Sequence, residues 1–268
     1  MIVDFHTHIW PERISEKVHQ TLQTAYHEKW QGYGNLDGLK ETMKEGAVDY
    51  SVVLPVVTKP SQFQSILSYA KEINGKDGII SFGGIHPKSE HYKEELKQIK
   101  EAGLKGIKLH PDFQQAFVGE IETVRIVDYA LELGLIVSFH AGFDPSMPDC
   151  THCTAVRAKK MLQQVDAKAG TIILAHMGAN MTPKDVDEYL LDEPVYFDTG
   201  YCLDFMTDKM FVRQARVHGM DKILFATDSP WRRQKNYVER IKQMPLEPEE
   251  IEMILGINAA RLLDLPVK

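Results

Sequence analysis

Eight short apolar runs, each followed by a longer amphipathic stretch, constrain this chain more than any other feature. The runs are Ile2 to His8, Tyr50 to Pro55, Gly78 to Ile85, Gly106 to His110, Leu135 to Ala141, Thr171 to His176, Val195 to Asp198 and Ile223 to Thr227. Helix-like segments follow at Leu36 to Glu45, Gln62 to Asn74, Glu90 to Ala102, Glu120 to Leu133, Ala155 to Val165, Pro183 to Leu191 and Met206 to Val217. The last run is followed by Tyr237 to Lys242 with Pro248 to Leu263. Strand and helix alternating eight times predict an α/β fold, a closed parallel (β/α)8 TIM barrel in one domain over residues 1–268. An open doubly wound sheet is the competitor, but the glycine-rich phosphate fingerprint it often carries after its first strand is missing.

With 268 residues, 43% of them hydrophobic, the chain can bury a core of that size. Glycines after the helical segments, at Gly46, Gly75, Gly103, Gly134 and Gly219, predict left-handed caps. The stretch from about residue 10 to 35 is longer than an ordinary connection and reads as an insertion with a short helix around Ile14 to Tyr26. Net charge is −7 and no basic run exceeds two residues, which argues against nucleic-acid and membrane partners and for a small-molecule substrate. Three cysteines, and no apolar stretch near the ~20 residues of a membrane span, predict a reduced cytoplasmic protein. A homo-oligomer stays open.

In such a barrel every strand's C-terminal end points to one mouth. Asp4-x-His6-x-His8 puts three polar side chains on one face of the first strand, and two imidazoles one pleat apart can reach the same ion. Lys108 and His110 close the fourth strand, His140 the fifth, His176 the sixth, and Asp228 follows the eighth. Loops at the same end offer Trp10, Lys59, His86, Lys88, Asp112, Gln114, Asp144, His152, Asn180, Tyr201, Trp231 and Arg232, a lining suited to a polar or anionic small molecule. Arg232 and Lys108 are the expected carboxylate contacts, with His110, His152, Trp10 and Trp231 as further substrate contacts. Trp10 and Trp231 wall the pocket or pack under a loop. Asp198 holds His176 or an ordered water, or caps its loop. Cys150-x-x-Cys153 is read as part of the loop after the fifth strand, since a structural zinc wants four ligands and only Cys202 remains.

The ordered set Asp4-Phe5-His6-Thr7-His8, Gly106-Ile107-Lys108-Leu109-His110-Pro111, Phe139-His140-Ala141-Gly142, Ala175-His176-Met177-Gly178, Phe225 to Trp231 and Asn258 to Leu263 resembles the amidohydrolase superfamily. Within it the likeness is to the amidohydrolase-related family that includes aminocarboxymuconate semialdehyde decarboxylase. The resemblance implies a divalent cofactor, zinc first, held by His6, His8, His140 and Asp228, with Asp228 also handling the proton of a bound water. It makes His176 a general base or a second-metal ligand. Bound water acidified from a pKa of about 15.7 to about 7 would be the nucleophile. One ion is preferred. The alternative is two ions, bridged by a carbamylated Lys108, with His140 and His176 on the second. Hydrolysis of an amide, lactone or similar bond is placed first and non-oxidative decarboxylation of an unsaturated or aromatic acid second. A non-catalytic binding barrel comes third, because binding alone needs no proton acceptor.

Overall fold

The computed structural model describes residues 1–266, in which parallel strands alternate with helices as expected. These residues fall into two compact units. The first comprises Met1–Val53, Gly75–Ile80 and the residues from Asp198 onward; the second comprises Leu54–Asn74 and Ser81–Phe197.

In the first unit, β1 (Val3–Thr7) pairs in parallel with β2 (Tyr50–Val53), matching Val3 to Tyr50 and Asp4 to Ser51. The register slips between Asp4 and Thr7, so the irregularity spans Phe5 and His6. On its other edge β1 takes the backbone that continues from β9 (Ile223–Leu224): the Phe5 amide donates to the Phe225 carbonyl at 2.8 Å and the Asp228 amide to the His6 carbonyl at 2.8 Å. The first strand is therefore buried between two neighbours, and Val3 and Phe5 are fully excluded from solvent. Helices α1 (Glu12–Tyr26), α2 (Leu36–Gly46), α9 (Asp208–His218), α10 (Gln234–Gln243), α11 (Pro248–Glu252) and α12 (Asn258–Leu263) belong to this unit. The expected helix in the 10–35 insertion is present and runs 15 residues. Its aromatic neighbours Trp30, Tyr201 and Trp231 form a buried cluster on which Trp10, Val18, Leu22 and Tyr26 pack.

The second unit carries the parallel ladder β4 (Gly83–Gly84), β5 (Gly106–Leu109), β6 (Ile136–Phe139), β7 (Ile172–Leu174) and β8 (Tyr196–Asp198), the last residue of which opens the final stretch of unit one. Register matches Lys108 to Gly84 on one side and to Ser138 on the other. The third expected run is divided: β3 (Ile79–Ser81) pairs with β2, and Phe82 separates it from β4. Helices α3 (Phe63–Ile73), α4 (Tyr92–Glu101), α5 (Pro111–Gln114), α6 (Ile121–Glu132), α7 (Ala155–Leu162) and α8 (Pro183–Tyr189) complete the unit.

Two glycine expectations are corrected. Gly46 is the last residue of α2, and Ala47 takes the left-handed cap at φ 52°, while Gly219 sits at φ 116°, ψ 116°, outside the left-handed helical region. Gly75, Gly103 and Gly134 adopt positive φ as expected. No helix among the described residues is long and apolar enough to cross a membrane.

Candidate metal centre

His6, His8 and Asp228 converge in the first unit. Strand alternation sends both imidazoles to one face, and the Asp228 amide bonded to the His6 carbonyl sets the carboxylate beside them. His6 Nε2 lies 3.1 Å from His8 Nε2 and 3.4 Å from Asp228 Oδ1, and His8 Nε2 lies 3.2 Å from the same oxygen. Two atoms that each bind one ion at about 2.0–2.2 Å stand roughly 3.0–3.5 Å apart in tetrahedral or octahedral geometry, so all three separations fit a shared cation.

The hydrogen bonding of His6 makes the same point chemically. Its Nδ1 donates to Asp198 Oδ2 at 2.9 Å, which leaves the lone pair on Nε2, facing a second imidazole nitrogen and a carboxylate oxygen. Two nitrogens and a carboxylate oxygen that can each offer a lone pair to one point are a donor set suited to a cation. The residues present therefore fit a divalent ion, with Asp198 orienting His6 from behind. Of the roles the sequence offers Asp198, loop capping is present, its Oδ1 accepting the Gly200 amide at 2.9 Å; its bond to His6 through Oδ2 is one that sequence reasoning missed. A Cβ on Gly200 would stand 3.1 Å from Asp198 Oδ1 and 3.3 Å from His6 Nδ1, so only glycine leaves this pair undisturbed.

Asp4, first in the motif, is taken up by the His6 amide, Thr227 and Gln234. It is fully buried and its carboxyl is raised to about 7, chiefly by loss of solvent and against four hydrogen bonds.

A second histidine cluster stands in unit two. His140 Nδ1 is 3.0 Å from His176 Nε2. His110 stacks on His140 at 4.1 Å and 11°, and on Phe113 at 4.0 Å. Asp144 Oδ2 lies 3.5 Å from His110 Nε2 and 3.9 Å from His140 Nε2. This trio resembles a ligand set by proximity alone. Nearly parallel stacked rings keep their in-plane lone pairs in two separate planes, so one ion cannot lie in the plane of both imidazoles. Asp144 instead takes the role of a carboxylate beside two imidazoles, its other oxygen accepting the Ser146 amide and hydroxyl. His110 is buried, and its Nδ1 accepts the Phe113 amide at 3.4 Å, which fixes the turn into α5. Asp112 Oδ1 accepts both the amide and Nδ1 of His152 at 2.9 Å. That pairing leaves His152 Nε2 as the ring's acceptor nitrogen. Lys108 is completely buried in β5.

Two expected substrate contacts prove committed elsewhere. Arg232 is 4% exposed and pairs with Glu28 at 2.6 Å and with Asp204, while its guanidinium lies 4.3 Å over the Tyr201 ring. Two carboxylates already occupy the fork that a substrate carboxylate would need, so the residue ties the 10–35 insertion down. Trp231 is buried against Trp30 and Tyr26; Trp10 is half-buried, stacked on Trp30 at 5.3 Å and on His8 at 6.3 Å. Cys150, Cys153 and Cys202 are free thiols, the last two buried and with their pKa pushed upward by that burial.

Known proteins share this architecture. The amidohydrolase family model matches residues 3–265, and the chain belongs to that family. No curated protein sequence matches significantly. Among solved structures, a 2,6-dihydroxybenzoate decarboxylase in complex with 2,6-dihydroxybenzoate is 16% identical over 98% of this chain and 99% of its own, with a TM-score of 0.76. A 5-carboxyvanillate decarboxylase from Novosphingobium aromaticivorans, complexed with manganese and 4-hydroxy-3-methoxy-5-nitrobenzoic acid, is 13% identical over 99% and 96%, with a TM-score of 0.76. A putative amidohydrolase from Staphylococcus aureus is 17% identical over 98% and 99%, with a TM-score of 0.69. The fold class is the (β/α)8 barrel, and the chain is a metal-dependent enzyme of this family.

Proposed function

We propose that this enzyme removes CO₂ non-oxidatively from a small aromatic or unsaturated carboxylic acid. Sequence reasoning ranks hydrolysis first; the reversal is carried by one observation, the full-length structural likeness to decarboxylases in a chain whose histidine–carboxylate triad is formed. His6 Nε2, His8 Nε2 and Asp228 Oδ1 would hold the divalent ion. His140 joins them as a fourth ligand on the strength of the family's ligand order, not of geometry. Two imidazoles with a carboxylate suit manganese as well as zinc, and the manganese in one structural relative supports the former.

When bound, the ion supplies positive charge that draws electron density from a substrate oxygen. Asp198 fixes the tautomer of His6 by accepting its Nδ1 proton. As the carbon–carboxylate bond breaks, its electron pair stays on carbon and needs one proton. Asp228, beside the histidines, would take up one proton from solvent and pass it to that carbon, so that CO₂ leaves and the carboxylate is restored. His176 Nε2 is the second proton-handling group, and His152, with its tautomer set by Asp112, contacts the polar substituents of the substrate.

A second reading uses the 3.0 Å approach of His140 Nδ1 to His176 Nε2 as the mark of a second ion, with Lys108 carbamylated. Metal analysis with intact mass separates the two, since one ion and an unmodified lysine exclude it. The decarboxylase reading is tested with the manganese- or zinc-loaded enzyme on a panel of hydroxybenzoates and unsaturated acids beside a panel of amides and lactones. CO₂ release from the first panel is expected; turnover confined to the second restores hydrolysis.

A further inference from the structure

Asp4 opens the Asp-x-His-x-His motif yet spends its whole carboxylate on the protein. Oδ1 accepts the Thr227 amide at 3.0 Å and the His6 amide at 3.2 Å; Oδ2 accepts the Thr227 hydroxyl at 2.5 Å and Gln234 Nε2 at 2.8 Å. No lone pair is left over for an ion, so the residue is no ligand. Its partners are chosen. Of the three, one is the amide of the first histidine of the triad, and another is the residue immediately before the triad's carboxylate.

Asp228 needs such a hold. It sits at φ 61°, in the left-handed region that a non-glycine residue occupies only when its surroundings enforce it. Its two neighbours are both pinned. Thr227 is fixed through its amide and hydroxyl to Asp4, and the Thr227 oxygen in turn accepts the Ser229 amide at 3.1 Å. The Ser229 carbonyl accepts the His8 amide at 2.6 Å. Gln234, from α10, steadies the carboxylate and also donates to Ser51 Oγ at 2.8 Å on the neighbouring β2. A single buried carboxylate thus joins the segment bearing His6 and His8 to the segment bearing Asp228.

We propose that Asp4 is the positioning residue of the metal centre: by clamping Thr227 to β1 it sets the spacing of His6, His8 and Asp228, and metal affinity depends on it although it never touches the ion. The inference rests on reading that triad as the metal site. Its consequence differs from that of an ordinary core staple, which would change stability and leave the ion's affinity alone.

The test is titration of the apo protein with Mn²⁺ by calorimetry, with the visible absorption of the Co²⁺ form as a spectroscopic check and thermal melting as the measure of folding. Asp4→Ala and Thr227→Val are compared with wild type and with Asp4→Asn. Thr227→Val keeps the buried carboxylate and exchanges a hydroxyl for a methyl, so it reports even if the Asp4 variants fail to fold. Folded Asp4→Ala and Thr227→Val are expected to bind Mn²⁺ about 10–100-fold more weakly with an altered Co²⁺ spectrum. Asp4→Asn, which keeps the Oδ1 acceptor, should lose less. Wild-type affinity and spectrum in Thr227→Val, with only the melting temperature lowered, overturns the inference while leaving the metal site intact. Absence of Mn²⁺ binding to wild type removes the site itself.

Discussion

At the scale of residues, the centre depends on which nitrogen of an imidazole carries the proton. Asp198 settles that for His6, and the same logic separates residues that act from residues that hold. Asp228→Asn is expected to keep the fold and lose most turnover, since an amide cannot deliver the proton; a variant with unchanged kcat would remove Asp228 from the chemistry. Arg232 makes the opposite case. Between the values for exposed and buried ion pairs, Arg232→Leu should cost about 1–3 kcal/mol of stability by stranding Glu28 and Asp204. Its Mn²⁺ affinity and KM should stay unchanged; a raised KM at unaltered stability would return it to the substrate. Thiol reactivity follows from burial: in the native protein Cys150 alone should react with a disulfide reagent, and all three thiols in denaturant. Rapid modification of Cys153 in native protein would show that its loop opens.

At the scale of elements, the strands and helices are legible in the sequence because apolar periodicity and caps report burial on each segment directly. Asn35, Thr154 and Thr207 each accept an amide proton at the start of their helices. Thr207→Ala should therefore cost about 1 kcal/mol in denaturant unfolding, and a neutral result would mean that α9 is fixed by packing alone. Less legible are features set by contact across the chain. The Gly78 to Ile85 run reads as one strand, yet splits where its two halves find different neighbours. Gly142 enters the sequence reading only as the end of the Phe139-His140-Ala141-Gly142 motif; in the structure it stands at φ 88°, and a Cβ there would collide with the backbone of Ala179 and Asn180. Gly142→Ala should displace the loop after His140 and reduce folded yield. The ligands' strand-end positions can be read from the sequence, whereas the partners of Asp198 and Asp112, 192 and 40 residues away, are tertiary facts that no local pattern encodes. Arg232 reads as a substrate contact for the same reason: its carboxylate partners, Glu28 and Asp204, are remote in sequence.

At the scale of the whole molecule, a (β/α)8 fold brings strand ends to one rim, and this is why scattered histidines and a late aspartate can be grouped before any coordinates. What the fold cannot choose is the reaction, because the same barrel hosts many. Ligand binding to the native state raises stability by RT ln(1 + [L]/Kd), about 2.7 kcal/mol at a hundredfold excess over Kd, so apo protein should melt at lower temperature than the metal-loaded form and recover on adding Mn²⁺. The most direct measurement of the central claim is anomalous diffraction from crystals soaked in Mn²⁺. The account predicts a peak about 2.0–2.3 Å from His6 Nε2, His8 Nε2 and Asp228 Oδ1 together. A fully loaded crystal with its only peak elsewhere, or with these three side chains turned apart, would contradict it.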